Sequence, residues 1–148
     1  MPDLPARDQR PGILLAHEMP DHPKIAPLSD AAFRLIVTAW AYCSRLETNG
    51  IIPDQVWRKM GTTKARRELM EPPLILPKAS PLVIQHEGYV ECHDYLLHQR
   101  SSREIGAVRE ARAESGEKGA HKRWHIGRRR FDPNCTYCQQ ESGASEIA

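Results

Sequence analysis

The sequence predicts an α+β fold, on three observations. After Ser29 the apolar residues recur at threes and fours, as on one face of a helix. Two β-compatible runs, Leu82 to His86 and Tyr89 to His93, are separated only by Glu87-Gly88, a connection suited to a tight hairpin. Between these, glycine and proline punctuate the chain into short elements.

Taken in order, residues 1–27 contain six of the 12 prolines, which forbids a long helix and predicts an extended N-terminal arm over the domain surface. Ser29 or Asp30 caps a first helix whose inward candidates are Phe33, Ile36, Val37, Trp40 and Cys43. It should stop before Asn49-Gly50, a pair suited to left-handed backbone, with Ile51-Ile52 as a very short strand. Pro53-Asp54 opens a second helix carrying Val56, Trp57 and Met60 toward the core, and Gly61 ends it. Thr62 or Thr63 caps a third, Lys64 to Glu71, with Lys64, Arg66 and Arg67 as its basic residues and Pro72-Pro73 as its stop. The hairpin follows. Helix, strand, helix, helix, hairpin is the order of a winged helix-turn-helix domain, expected over residues 28–99.

Two helical stretches are predicted beyond it, Asp94 to Arg100 and Ser101 to Glu117. The second has a thin seam of Ile105, Val108 and Ala111, too weak for an independent coiled coil, that could serve as a homodimer contact or as a clamp onto the hairpin. Gly116 and Gly119 each cost a helix about 1 kcal/mol relative to alanine, so a bend or break is expected there. Residues 100–120 read as a basic helical extension, 121–138 as a metal-binding element and 139–148 as an acidic, disordered tail.

Charge is uneven along the chain. Residues 1–99 carry 11 Lys/Arg against 12 Asp/Glu, residues 100–130 carry 10 against 4, and residues 131–148 carry none against 3, within a net charge of +2. A basic stretch on an otherwise neutral protein suits phosphate contacts, because each neutralised phosphate releases counterions; a solvated helix face has the same composition. The nucleic-acid-binding candidates are Lys64, Arg66 and Arg67 on the third helix, and Lys122, Arg123, Arg128, Arg129 and Arg130 further along. No apolar run reaches the roughly 20 residues of a membrane span, and nothing reads as an export signal. Cytoplasmic thiols or metal ligands are therefore expected of the four cysteines, before disulfides.

The sharpest chemical pattern is His121-x3-His125 followed by Cys135-x2-Cys138. Two histidines four apart share a helical face, and a two-residue spacing turns both thiolates of a knuckle toward one ion. Two imidazoles and two thiolates form a borderline-soft tetrahedral set that suits zinc and that magnesium or calcium would reject. Four protein ligands leave no open position, so the zinc is expected to be structural. An incidental or redox-active Cys-x2-Cys is the other reading, weakened because no thioredoxin-like strand precedes it. Residues 118–138 hold few apolar groups, so metal would supply the free energy that orders them, with Arg128 to Arg130 projecting as a cationic loop.

His86, Cys92, His93 and His98 gather around the hairpin, but strand alternation and the five-residue spacing from His93 to His98 set them on different faces. Cys43 lies on the apolar stripe as a small buried side chain. No nucleophile elbow, phosphate-binding glycine loop or metalloprotease helix motif is present, so neither catalytic residues nor a small-molecule substrate is expected.

His22-Pro23-Lys24, the stretch from Leu28 to Leu35, Gly88-Tyr89-Val90 and His93-Asp94-Tyr95-Leu96 with His98-Gln99 resemble short winged-helix proteins of actinobacteria and their phages and prophages. Arg123-Trp124-His125 followed by Cys135-x2-Cys138 is similar to a recurrent C-terminus of that family. The resemblance spans roughly residues 20–138 and departs around Glu71 to Ser80, where Pro72-Pro73-Leu74-Ile75-Leu76-Pro77-Lys78 replaces a Gly-Leu-Trp-like link. It implies binding of double-stranded DNA in the bacterial cytoplasm, in replication initiation or transcriptional regulation. A module docking on a host or phage replication or transcription protein is the alternative.

Overall fold

The computed structural model describes residues 11–145. By its contacts the chain divides into two compact units, residues 1–103 and 104–148. Among the described residues no helix is long and apolar enough to cross a membrane.

In the first unit, helix α1 (Asp30–Leu46) begins at Ser29, whose hydroxyl accepts the Ala32 N–H at 3.3 Å. Its buried face is Ala32, Leu35, Ile36, Ala39, Trp40 and Cys43. Phe33 and Val37, expected inside, are only partly buried at the flanks. Nearly every residue from Ala31 to Cys43 is apolar or small, so periodicity alone leaves the angle of the buried face loosely defined. Glu47 takes left-handed backbone (φ 56°) at the helix end, with Asn49 (φ 54°) and Gly50 (φ 93°) making the turn into strand β1 (Ile51–Pro53).

Helix α2 (Asp54–Trp57) is one turn long, shorter than its sequence suggests; further turns carry the chain to Gly61 with Trp57 buried. Thr62 caps helix α3 (Thr63–Met70) by accepting the Ala65 N–H at 3.1 Å. Its buried residues are Ala65 and Leu69, while Met70 is partly buried. Glu68 of α3 accepts both the backbone N–H (2.6 Å) and the hydroxyl (2.7 Å) of Ser29, tying α3 to the start of α1.

Strands β2 (Val83–Gln85) and β3 (Tyr89–Cys92) are joined through Glu87-Gly88, with Gly88 at φ 83° and the His86 N–H closing onto the Tyr89 carbonyl at 2.9 Å. β3 is central in a three-stranded antiparallel sheet of order β1-β3-β2, pairing Ile52 with Val90 and Val83 with Cys92. Ile52, Val83, Val90 and Cys92 meet Trp40, Trp57, Leu69 and Tyr95 in one core, completed by Met19 and Ile25.

Those last two residues belong to the N-terminal arm, whose other residues are mostly exposed. Residues 11–27 contain a 3-10 turn at Met19–Asp21 and contribute two side chains to the core. Gln99, itself buried, holds the arm by accepting the Leu14 N–H at 2.9 Å and donating to the Leu14 carbonyl at 2.7 Å. Prolines set the arm's local shape, but a paired backbone and two apolar anchors fix its place. Residues 1–10 lie outside the described residues.

Helix α4 (Tyr95–His98) is a single turn, and α5 (Ser102–His121) runs unbroken through Gly116 and Gly119. Both glycines stand in open space, and the Lys118–Glu114 ion pair at 2.6 Å braces the same turns. Their propensity cost is therefore tolerated without a bend. Ile105 is half-buried, whereas Val108 and Ala111 are exposed. The tail departs from expectation as well: residues from Gln139, expected to be disordered, continue helix α6 (Thr136–Ser145) to its end, while residues 146–148 lie outside the described residues.

Candidate metal centre

The second unit has almost no apolar core. Among its described side chains the only buried ones are His121 and Cys138. What gathers the segment is the convergence of two histidines and two cysteines.

His121 closes α5, and His125 follows within a π-helical turn, Lys122–Ile126. The wide turn closes through the Gly127 N–H to the Lys122 carbonyl at 2.9 Å, and the Arg130 N–H reaches the His125 carbonyl at 2.8 Å. A Cβ added at Gly127 would stand 3.1 Å from the Arg123 carbonyl oxygen. Arg129 (φ 50°) then reverses the chain toward Asp132-Pro133-Asn134, where the Asp132 carboxylate accepts the Asn134 N–H at 2.9 Å and its carbonyl accepts the Cys135 N–H at 3.1 Å. Cys135 sits just ahead of α6 and Cys138 in its first turn. Backbone N–H groups of Cys138 and Tyr137 point at the Cys135 sulfur, as at a capped helix start.

Four ligand atoms meet, all within 4.8 Å of one another. Nδ1 of His121 is 3.4 Å from Nδ1 of His125 and 3.5 Å from both sulfurs, and Nδ1 of His125 is 3.2 Å from Sγ of Cys138. A tetrahedron with metal–nitrogen bonds of about 2.0–2.1 Å and metal–sulfur bonds of about 2.3 Å has edges of about 3.4 Å between nitrogens and about 3.5 Å between nitrogen and sulfur. The four residues are close enough to hold one metal ion, and the four edges at His121 Nδ1 and between His125 Nδ1 and Cys138 Sγ are compatible with zinc.

Carboxylates stand behind the imidazoles. Oε1 of Glu141 is 3.2 Å from Nε2 of His121, near enough to attract it although off the line of a hydrogen bond, and Oδ2 of Asp132 is 3.7 Å from Nε2 of His125. A negative oxygen beside Nε2 favours the proton there and leaves Nδ1 as a lone pair for metal. Electrostatics agree. The Cys135 thiol is pulled down to about 7, first by the Cys138 N–H and then, against burial, by the histidines and the Tyr137 N–H. Burial pushes Cys138 up. At His121 burial acts downward, but Glu141 and Cys135 together outweigh it and the net shift is upward.

The other cysteines, Cys43 and Cys92, are free and buried in the core of the first unit. The hairpin histidines do not converge: His86 pairs with Glu91 at 2.9 Å and stacks on Tyr89, while His93 faces Asp94 at 3.3 Å. Of the basic residues, Lys64 and Arg67 are exposed on α3. Arg66 is folded back instead, donating to the Met60 carbonyl at 2.7 Å, the Gly61 carbonyl at 3.2 Å and the Thr63 hydroxyl at 3.0 Å. Lys122, Arg123, Arg128, Arg129 and Arg130 are exposed around the metal-ligand loop. No protein-family model, curated protein or solved structure matches the chain.

Proposed function

We propose that the protein binds double-stranded DNA through a winged helix-turn-helix domain, with α3 in the major groove, and that the basic extension and a structural zinc element hold phosphate. The observation that carries this reading is the succession α1, β1, α2, α3, β2, β3 with β3 between its two partners. In such a domain the third helix enters the groove and the hairpin touches the backbone beside it. Lys64 and Arg67 on the exposed side of α3, and the excess of Lys/Arg over residues 100–130, supply the charge. Zinc is the ion that two thiolates and two imidazoles with a closed shell select, and its role is to hold the arginine loop, with no part in catalysis. The resemblance to short winged-helix proteins of actinobacteria and their phages is what adds a replication-initiation or regulatory role in a bacterial host to this proposal.

A gel-shift titration across salt tests it. Duplex binding should weaken linearly in log affinity against log salt, with a slope of about 0.9 per phosphate contacted. Binding absent at low salt, or indifferent to salt, would contradict the reading. Reversing Lys64 and Arg67 to glutamate should abolish duplex binding with the fold intact, since neither supports the backbone as Arg66 does.

A docking module on another protein is favoured by one observation. The link after α3 exposes Leu74 and Ile75, at 97% and 65%, as adjacent large apolar side chains. Under that reading the same charge reversal leaves partner binding unchanged, and replacing Leu74 and Ile75 with serine removes it.

A further inference from the structure

We infer that the metal-ligand loop also carries a stacking site for an unpaired base of single-stranded nucleic acid, built from Trp124 and Phe131 and flanked by Arg128 and Arg130. This rests on the nucleic-acid reading above but concerns a different ligand, and it adds Trp124 and Phe131 to the arginine loop.

The fold leaves both rings outside, as it does Ile126 of the same loop. Trp124 is 46% exposed and Phe131 is 59% exposed, whereas the protein's other two tryptophans, Trp40 and Trp57, are buried. Both rings line one open groove together with Arg128, Arg130 and Pro133. The Arg128 guanidinium lies 4.0 Å over the Trp124 ring and covers one face of the indole, which remains 46% exposed. Asp132 is the one carboxylate lining the groove, and it is engaged with the Asn134 N–H at 2.9 Å and faces His125 at 3.7 Å.

A planar aromatic ligand with an attached negative charge matches these walls: the base lies on the indole against Phe131, and its phosphate meets Arg128 and Arg130. Flat rings beside cationic side chains are how sequence-tolerant single-strand binding works, since every base has a π-face. A base paired inside a duplex cannot offer that face. The loop is also held in shape on both sides, because Trp124 adjoins the ligand His125 and Phe131 lies between His125 and Cys135. An acidic peptide would satisfy the arginines but leave the rings without a planar partner.

The test uses the full zinc-loaded chain and fluorescein-labelled single-stranded probes of equal length: oligo(dT), oligo(rU) and an abasic deoxyribose-phosphate oligomer. Anisotropy should show oligo(dT) binding at least about tenfold tighter than the abasic oligomer, with W124A and F131A each removing most of that difference. Comparison with oligo(rU) reads whether the sugar matters; a base-dependent gain with either polymer supports the site. As a check independent of the variants, unlabelled oligo(dT) should quench the emission of wild-type Trp124 and protect it from acrylamide, and the abasic oligomer should not. Equal binding of abasic and base-bearing oligomers, equal competition by poly-glutamate, or unprotected Trp124 at saturation would overturn the inference. Salt-dependent duplex binding without base-dependent single-strand binding sinks only this site. Absence of both sinks the DNA reading with it.

Discussion

Nδ1 of His121 faces Nδ1 of His125 across 3.4 Å, with the two rings nearly perpendicular at 78° and two sulfurs closing the same space. Two neutral imidazoles that each turn a bare Nδ1 to the other gain nothing from the approach. A cation between them would supply the missing attraction, and the carboxylates of Glu141 and Asp132, 3.2 Å and 3.7 Å from the far nitrogens, stand where they would favour Nδ1 as the free lone pair.

That arrangement predicts a measurable role for Glu141 and Asp132. Changing either to alanine should lower zinc affinity by about 10–100-fold with the four ligands intact. Competition with a chromophoric chelator reads this directly. Unchanged affinity in both variants would show that the carboxylates do not orient the imidazoles.

Metal retention should depend on pH with a definite sign. The folded-state pKa of Cys135 is depressed from 9.0 to about 7, so its thiolate is available above that value and is lost as pH falls through it. His121 is shifted upward, so on acidification it takes its proton earlier than an ordinary histidine and again opposes metal. Affinity should therefore rise between pH 6 and pH 8, with proton release on zinc uptake. Isothermal titration in buffers of different ionisation enthalpy measures that release, and a flat profile would contradict the assignment.

In the first unit, Gly50 is the most exacting backbone position. Its φ is 93°, and a Cβ there would stand 2.8 Å from Cβ of Tyr95 and 3.3 Å from the Cys92 carbonyl oxygen, with neither atom at the end of a flexible chain. G50A should cost about 2 kcal/mol or more in urea unfolding, combining left-handed strain with overpacking. Replacing Gly88 by alanine, where no atom lies within 4 Å, should cost only the backbone term.

Much of the fold was legible because local chemistry specified it. Ser29 and Thr62 cap as their positions demand, Glu87-Gly88 turns the hairpin, and the His-x3-His and Cys-x2-Cys pairs converge on one point. The parts that escaped depend on residues distant in sequence. Gln99 grips Leu14 from 85 positions away, and nothing in either neighbourhood announces the pair. Arg66 reads as a cation for DNA, yet its reach back to the Met60 carbonyl makes it part of the turn between α2 and α3. Glu117, Asp132 and Glu141 are the carboxylates nearest the ligands in sequence, but reading the tail as disordered leaves nothing to fix Glu141 beside His121. The available signal was its spacing: it stands three residues after Cys138, one turn along a helix that the knuckle itself starts.

The central claim is that His121, His125, Cys135 and Cys138 hold one closed-shell metal ion, and elemental analysis joined to X-ray absorption at the zinc edge tests it most directly. The account predicts one equivalent of zinc with two sulfurs at about 2.3 Å and two nitrogens at about 2.0–2.1 Å, lost when Cys135 or Cys138 becomes serine. Chain purified metal-free with residues 121–138 still protected from trypsin, or a zinc shell containing water and fewer than two sulfurs, would contradict it.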